Sequence, residues 1–504
     1  MATPSENLAT SLGLLQALQD EGVMAIRSSQ LSRLHRERLV KSGFLREVVK
    51  GWYIATRPDE VPGESTVWMT SFWAFCAGYL DQRFQHEWCL GPEQSLTLFT
   101  GDWTVPRQLQ VRSPKGGNQQ LVLPHDTAIF DVRLQIPPGT HTEINHGMRL
   151  YSLAAGLIAS SPTHFSAQPI VMRSALAAVT DASEVLGLLL EGGHSTVAGR
   201  LAGAFRNIGR LAIANQIKDT MSAAGYRIVE ADPFKGIAPL AMPLQHASPA
   251  VNRMTMTWEK MRSEVLENFP APPKAKLRKA AYLRQVDDVY AADAYNSLSI
   301  EGYRVSADLI ERVRAGDWNP GTDEADQNQR DAMAARGYWQ AFQRVKLSVE
   351  RVLDRENAGQ VAQAEHGAWY RELFGPSITA GILRPADLAG YRSGPVFIRR
   401  SHHAPPNQQA VRELMPAFFE LLRNEPEPAV RVVLGHFMFV YIHPYFDGNG
   451  RMGRFLMNVM LASGGYPWIV VPMAQREDYM AALEQASVER NIVPFARFLG
   501  QLVS

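Results

Sequence analysis

Cysteine is nearly absent from this sequence: its 504 residues include only Cys76 and Cys89, with no CxxC pair. That scarcity excludes a disulfide scaffold and a zinc ribbon, and it fits two buried thiols in a reducing compartment. Charge of one sign is missing too. Fifty-one Lys and Arg balance fifty Asp and Glu, a formal charge of +1, so no global field argues for nucleic acid, a membrane or an acidic partner. Long apolar runs are also lacking. The most apolar stretch, TVWMTSFWAFCAGYL from Thr66 to Leu80, is shorter than the ~18 residues of a membrane span and reads as a buried helix. The start, MATPSENLAT, has no basic stretch leading into an apolar one, unlike a secretory leader. These absences predict a soluble cytoplasmic protein with no membrane partner. What is there is an ordinary globular composition, 46% hydrophobic and 20% charged, with material for more than one core.

The first sixty residues read as helix, helix, helix, hairpin, the plan of a winged helix-turn-helix module over 1–60. ENLATSLGLLQALQDEG has leucines near helical spacing and ends at Gly22; SSQLSRLHRERLVKSG offers Ser29 as an N-cap and ends at Gly43. FLREVVKGWYIAT alternates around Lys50 and Gly51, a hairpin signal. Arg27, Arg33, Arg36, Arg38, Lys41, Arg46 and Lys50 face only Glu37 and Glu47 in that span. Such a local patch suits DNA phosphates, or equally a small helical module used for protein contacts. Residues 61–266 read as an α/β region of unknown role. Its stretch EGGHSTVAGRLAGAFRNIGR (Glu191 to Arg210) lacks the GxxxxGK[ST] phosphate-loop pattern, so its glycines mark helix ends and close packing. Pro270, Pro272 and Pro273 cluster in ENFPAPPKAKLRKA, which makes 267–280 a stiff linker and a domain boundary. The remainder, 281–504, is mostly helical by pattern. The expected fold is therefore mainly α and multi-domain.

One short stretch carries chemistry: YIHPYFDGNGRMGR, from Tyr441 to Arg454. The almost wholly apolar AVRVVLGHFMFVYI precedes it, interrupted by His436, which reads as a satisfied core histidine; Pro444 ends that helix and a second buried helix follows. Gly448 and Gly450 leave backbone N–H groups free to point at an anion from a helix N-terminus. Asn449 adds a neutral donor, and Arg451 and Arg454, three apart, can grip further phosphate oxygens. Together these suit a polyphosphate. Asp447 is a hard oxygen ligand placed for the Mg²⁺ that accompanies one, and His443 can take a proton from an incoming hydroxyl near neutral pH.

The stretch resembles the signature of the Fic family, His-x-Phe-x-[Asp/Glu]-Gly-Asn-Gly-Arg-x-x-Arg, with Tyr445 in place of the usual Phe. The related Doc type has lysine at the position of Gly450, so the glycine implies transfer of a nucleotide rather than of the terminal phosphate. The resemblance extends over roughly the last 230 residues and implies an all-helical Fic core with a β-hairpin flap at GYRSGPVFI (Gly390 to Ile398), to which a target segment pairs as a strand. His402 and His403 beside it read as solvated loop residues. Tyr479, in REDYM, is similar to a family tyrosine near the adenine. The implied reaction has His443 deprotonate a Tyr, Ser or Thr hydroxyl of a target protein, which attacks the α-phosphate of ATP and leaves an AMP-modified protein and pyrophosphate. Asp447 would hold Mg²⁺, Asn449 and the loop amides would stabilise the developing charge, and Arg451 and Arg454 would hold the outer phosphates.

Far upstream, NSLSIEGYRV lies on an expected helix near 291–303. Ser297-x-x-x-Glu301-Gly302 is similar to the family's inhibitory motif, [Ser/Thr]-x-x-x-Glu-[Gly/Asn]. The resemblance implies that Glu301 pairs with Arg454 and denies it to the ATP γ-phosphate, and some relatives use the same glutamate to remove AMP again. The sequence thus predicts an autoinhibited protein adenylyltransferase. The alternative is a DNA-binding regulator in which the basic N-terminal module acts and the core senses nucleotide. Homo-oligomerisation is left open by the sequence.

Overall fold

The protein is described by a computed structural model over residues 3–58, 65–237, 248–273, 278–316 and 329–503. The chain forms two compact units, Met1–Arg253 with Phe397–Ala404, and Met254–Val396 with Pro405–Ser504.

The first unit opens with α1 (Pro4–Asp20), whose N-terminus is closed by a reciprocal box: the Glu6 amide donates to the Thr3 hydroxyl at 3.2 Å and the Thr3 amide to the Glu6 carboxylate at 2.7 Å. β1 (Ala25–Arg27), α2 (Arg33–Lys41), β2 (Leu45–Val49) and β3 (Trp52–Ala55) follow, the strands forming an antiparallel sheet in the order β1-β3-β2. Gly22, Gly43 and Gly51 have positive φ and end the helices and turn the hairpin where the sequence pattern put them. The expected run of three helices is corrected to two. Ala25 to Arg27 pair antiparallel with β3 and Ile26 reaches 1% exposure, so this stretch joins the sheet as a strand. The turn after β1 displaces the helix start, and the N-cap is Ser32 rather than Ser29.

Next come α3 (Thr66–Phe84), β4 (Cys89–Leu90), α4 (Pro92–Phe99), β5 (Gln108–Ser113), β6 (Gln119–Leu123), β7 (Thr127–Arg133), β8 (Thr142–Asn145) and β9 (Met148–Tyr151). The larger sheet runs β4-β5-β7-β6 with β5 and β7 parallel. The apolar stretch read as a buried helix is α3: Trp68, Phe72, Phe75, Cys76 and Leu80 are all 0% exposed. Both cysteines are buried and free. No helix among the described residues is long and apolar enough to cross a membrane. From α5 (Leu153–Ala159) through α6 (Pro162–Ala167), α7 (Pro169–Ala178), α8 (Ser183–Glu191), α9 (Ser195–Asn207) and α10 (Leu211–Ala223) the unit is helical, which narrows the expected α/β region to its first half. The glycines of α9 serve packing: a Cβ on Gly199 or Gly203 would run into the backbone of Val229 or Ala231, and the Ala231 amide donates to the Gly199 carbonyl at 3.1 Å.

In the second unit α11 (Pro249–Asn268), α12 (Lys279–Ile300), α13 (Ala307–Ala315), α14 (Gln329–Leu353), α15 (Ala358–Thr379), α16 (Gln408–Asn424), α17 (Pro428–Ile442), α18 (Asn449–Gly464), α19 (Arg476–Glu484) and α20 (Val493–Val503) appear in order. The unit boundary falls inside α11, at Arg253 and Met254, not in the Pro-rich stretch 267–280. Past Met254 this helix is committed to the second unit, because Trp258 and Arg262 both donate to the buried Glu425 carboxylate at 3.3 and 2.9 Å. The prolines only separate α11 from α12, and 274–277 lie outside the described residues. The second unit's described residues contain no strand. The expected flap hairpin at 390–398 is accordingly corrected to an irregular segment, in which Pro395 has no N–H to give a ladder and the Gly394 carbonyl is taken by the Arg392 side chain at 3.0 Å.

Gly203→Val is expected to lower the stability of the first unit by about 1–3 kcal/mol through overpacking against residues 229–232, read as a lower urea midpoint at unchanged slope.

Candidate active site

α17 is buried along nearly its whole length and ends at His443, which takes a left-handed conformation (φ 53, ψ 60). Gly448, also left-handed at φ 78, starts α18. A Cβ there would lie 2.7 Å from the Phe374 ring, so the turn is closed to other residues on two counts. The loop between is pinned by Asn449. Its side-chain oxygen accepts from the Tyr445 amide at 2.9 Å and its nitrogen donates to the Tyr445 carbonyl at 2.8 Å, while the residue is 2% exposed. This corrects its expected role as a free donor. The buried Tyr445 backbone lacks a ladder partner, and the amide side chain replaces one. The anion cradle is left to the backbone amides that open α18.

The His443 ring nitrogen Nδ1 lies 3.1 Å from the Val440 carbonyl. A carbonyl only accepts, so Nδ1 carries the proton and Nε2 keeps the lone pair a base needs. Burial pushes the imidazole down to about 4; Arg392 adds to this, and the Val440 bond, Glu301 and Asp447 oppose it. The ring is therefore neutral at pH 7.

Both arginines are engaged within the protein, and Arg454 holds the end of α12. Arg454 donates from Nη2 to the Glu301 carboxylate at 2.7 Å and to the Ser297 carbonyl at 3.1 Å, and from Nε to the Ser297 hydroxyl at 2.9 Å. It is 3% exposed. Burial would raise the Glu301 carboxyl, but the Arg454 and Arg451 guanidinium groups overcome that and hold it below the usual carboxylate range. The Glu301 carboxylate sits over Gly450, where a Cβ would collide with it. An internal anion thus occupies the entrance of α18. Arg451 is engaged differently: its guanidinium lies between the rings of Tyr303 and Phe374, 5.1 and 5.0 Å from their centroids, and 3.5 Å from Asp447. Gly302, at φ 86, turns the chain between Glu301 and Tyr303.

Asp447 keeps 64% of its side chain exposed, with one oxygen accepting from the Gly448 amide at 2.6 Å. No cluster of three or more His, Cys, Asp or Glu suited to a metal occurs among the described residues. One outward carboxylate fits Mg²⁺, which takes most of its ligands from water and substrate phosphates. Tyr479 departs from its expected place beside the adenine. It is 1% exposed, its hydroxyl bonds His436 Nε2 at 2.7 Å, and its ring packs on Phe495 and Phe498, so no face is open to a base. His436 is the core histidine expected, lowered to about 4 by burial. Tyr445 stacks on Tyr370 at 3.8 Å, which shows how the aromatic body is used. His403 is buried at 3% rather than solvated.

Residues 366–461 match the Fic/DOC family. They form a Fic/DOC domain. The match contains every residue from His443 to Arg454, whereas Ser297, Glu301, Gly302 and Tyr479 lie outside it. A protein adenylyltransferase Fic of Nematostella vectensis is 39% identical over 125 residues, 24% of this chain and 29% of that protein. One of Drosophila willistoni is 36% identical over 123 residues, 24% of each. The chain spans less than a third of the length of these curated relatives. Among solved structures, Fic-1 from C. elegans aligns over 67% of this chain and 89% of that one, at 17% identity and a TM-score of 0.37.

Around the Fic/DOC loop, several residues escaped the sequence reading. Arg476 donates to the Ile300 carbonyl at 2.9 Å and the Met473 amide donates to the Asn296 side chain at 2.7 Å, so the last turn of α12 is clamped from α19 and the residues before it. Asp293 is buried on the same face as Ser297 and Glu301, accepts from the Tyr338 hydroxyl at 2.7 Å, and is raised to about 6 by burial. Its only signal in the sequence is the spacing of four. Arg392 is buried against the His443 backbone and had no signal beyond its place in GYRSG.

The lowered imidazole sets a pH expectation. With the neutral ring acting as the expected base, the acid limb of kcat/KM should lie below the ordinary ~6.5 of histidine. Removing the Glu301 carboxylate, which raises His443, should move that limb lower still, as a pH–rate profile would record. Asn449→Ala leaves two buried backbone groups unpaired and should cost about 1–3 kcal/mol for each, measured by urea unfolding.

Proposed function

We propose that this chain is an autoinhibited protein adenylyltransferase, transferring AMP from ATP to a Tyr, Ser or Thr hydroxyl of a target protein. The observation that carries the reading is the Glu301–Arg454 pair at 2.7 Å, set over Gly450 beside a neutral His443. Nε2 of His443 takes the hydroxyl proton, the hydroxyl oxygen bonds to the α-phosphorus, and the bond to the pyrophosphate oxygen breaks. The amides opening α18 face the charge that builds on the α-phosphate. Arg454, once released from Glu301, supplies a forked grip for the γ-phosphate. Asp447 would hold Mg²⁺, which when bound offsets the phosphate charge. In the braked state ATP lacks that grip and its α-phosphate falls out of line with the incoming hydroxyl. Two buried free thiols fit work in a reducing compartment such as the cytoplasm, and the Glu301 carboxylate would also direct a water in the reverse removal of AMP.

A second reading, a DNA-binding regulator, rests on the N-terminal module. Much of its charge is spent internally: Arg36 donates to the Ser28 carbonyl at 2.8 Å, Arg38 to the Asn7 carbonyl at 2.8 Å, and Arg33 pairs with Glu37 at 2.7 Å. Arg27, Lys41 and Lys50 are exposed. Three phosphate contacts predict a log–log salt slope of only about −2.7; a slope no different after removal of residues 1–60 would end this reading.

The first reading is tested with ATP labelled on the α-phosphate. Glu301→Gly should raise incorporation roughly 100-fold, the size of a misalignment of about 1 Å relieved. Adding His443→Ala should remove about 10²–10⁴-fold, the usual contribution of a general base. Incorporation that ignores His443 would refute the assigned chemistry.

A further inference from the structure

Arg392 is 1% exposed, and every bond it makes is to backbone. Nε donates to the His443 carbonyl at 2.8 Å, Nη1 to Gly394 at 3.0 Å, and Nη2 to Pro406 and, at 3.5 Å, to Ile442. Its own amide donates to the Pro444 carbonyl at 2.9 Å. Burial alone pushes the guanidinium down, to about 10, which leaves it charged at neutral pH. Burying a cation is costly, and an apolar side chain would fill the same space. What an apolar side chain cannot supply is a rigid fork of donors reaching carbonyls from three directions.

Those carbonyls are informative. Ile442 and His443 close α17, where the last C=O groups lack helical partners and the helix dipole is negative. Gly394 and Pro406 flank the irregular segment that follows Arg392. The neighbouring residues pack on the loop elsewhere: the Phe446 ring lies 3.5 Å from the place of a Cβ on Gly394, and the rings of Tyr391 and Tyr445 lie 5.7 Å apart. His443 needs such support. A left-handed backbone is unfavourable for a residue with a side chain by roughly 1–2 kcal/mol, and His443 is held there by its amide on Phe439, at 3.0 Å, and its carbonyl on Arg392.

We propose that Arg392 is a positioning residue for the base: it holds His443 in its left-handed conformation and links that conformation to Gly394 and Pro406. The proposal rests on the transfer reaction above. A shift of Gly394 or Pro406 then reaches the base through one side chain.

The test uses the full chain carrying Glu301→Gly, with Arg392→Lys or Arg392→Gln added. Lysine keeps the charge and loses the fork; glutamine loses both. Three readouts are taken: AMP incorporation, ATP binding, and the His443 ring titration by NMR. Both variants should bind ATP as the parent does and lose kcat on the order of 100-fold, the scale of a misplaced reacting group. In Arg392→Gln the ring should titrate at higher pH, because a cation that disfavours imidazolium is gone; Asp447, the remaining carboxylate facing the ring, acts equally in all three proteins. In Arg392→Lys the titration should stay near the parent's while the rate stays low. Parental kcat in Arg392→Lys, or loss of ATP binding together with rate in both variants, overturns the proposal. If Glu301→Gly alone incorporates nothing, the transfer reading fails; the NMR titration still judges Arg392, and an unmoved ring in Arg392→Gln overturns its link to the base.

Discussion

A single buried ion pair, Glu301 with Arg454, organises the second unit's polar interior. An arginine this deeply enclosed needs a compensating charge, and the carboxylate that supplies it comes from a helix more than 150 residues earlier in the chain. Around the pair, Ser297 accepts from Nε and Nη2 of Arg454, Asp293 continues the same face of α12 and is bonded by Tyr338 from α14, and Arg476 closes the last turn. The carboxylate also lies where the amides of α18 and the positive end of that helix favour an anion. One contact therefore does two jobs: it neutralises Arg454 and sets a carboxylate over Gly450 at the start of α18.

The loop that presents His443 follows a different logic. Its shape does not come from packing of apolar side chains but from polar groups turned inward on backbone: Asn449 on Tyr445, Arg392 on His443, His443 on Val440. Buried polar groups that find only backbone partners fix conformation with little tolerance, since each lost bond strands a carbonyl or an amide. The result is a rigid loop carrying one exposed carboxylate, Asp447, and one neutral imidazole.

The composition of this loop was legible, its wiring less so. His443, Asp447 and the two glycines stand out because no core needs them, and Arg454 with Glu301 could be joined through a motif in each. Asn449 looked like a ligand donor because residue type does not reveal which way an amide turns. Tyr479 was misplaced for a similar reason: a tyrosine in a helix gives no sign of whether its ring faces a pocket or, as here, His436. Arg392 and Arg476 were missed because their partners are main-chain carbonyls, which leave no residue-type signature. In the first unit, apolar runs located α3 and glycines marked the ends of α1, α2 and the hairpin, yet the short strand at Ala25 was missed because three residues are too few for a period to emerge.

As the proposed brake, Glu301 would differ from any soluble inhibitor in that its concentration at the site is set by the chain, not by the surroundings. A ligand tethered this way acts at an effective concentration of order millimolar or above, and dilution does not weaken it. In the proposed reaction ATP would therefore be counted against an occupant that never leaves the molecule. The apparent affinity for nucleotide would then measure how firmly the last turn of α12 is folded, so that whatever frays that turn, from Asn296 to Gly302, would alter nucleotide occupancy without touching a single atom proposed to contact phosphate.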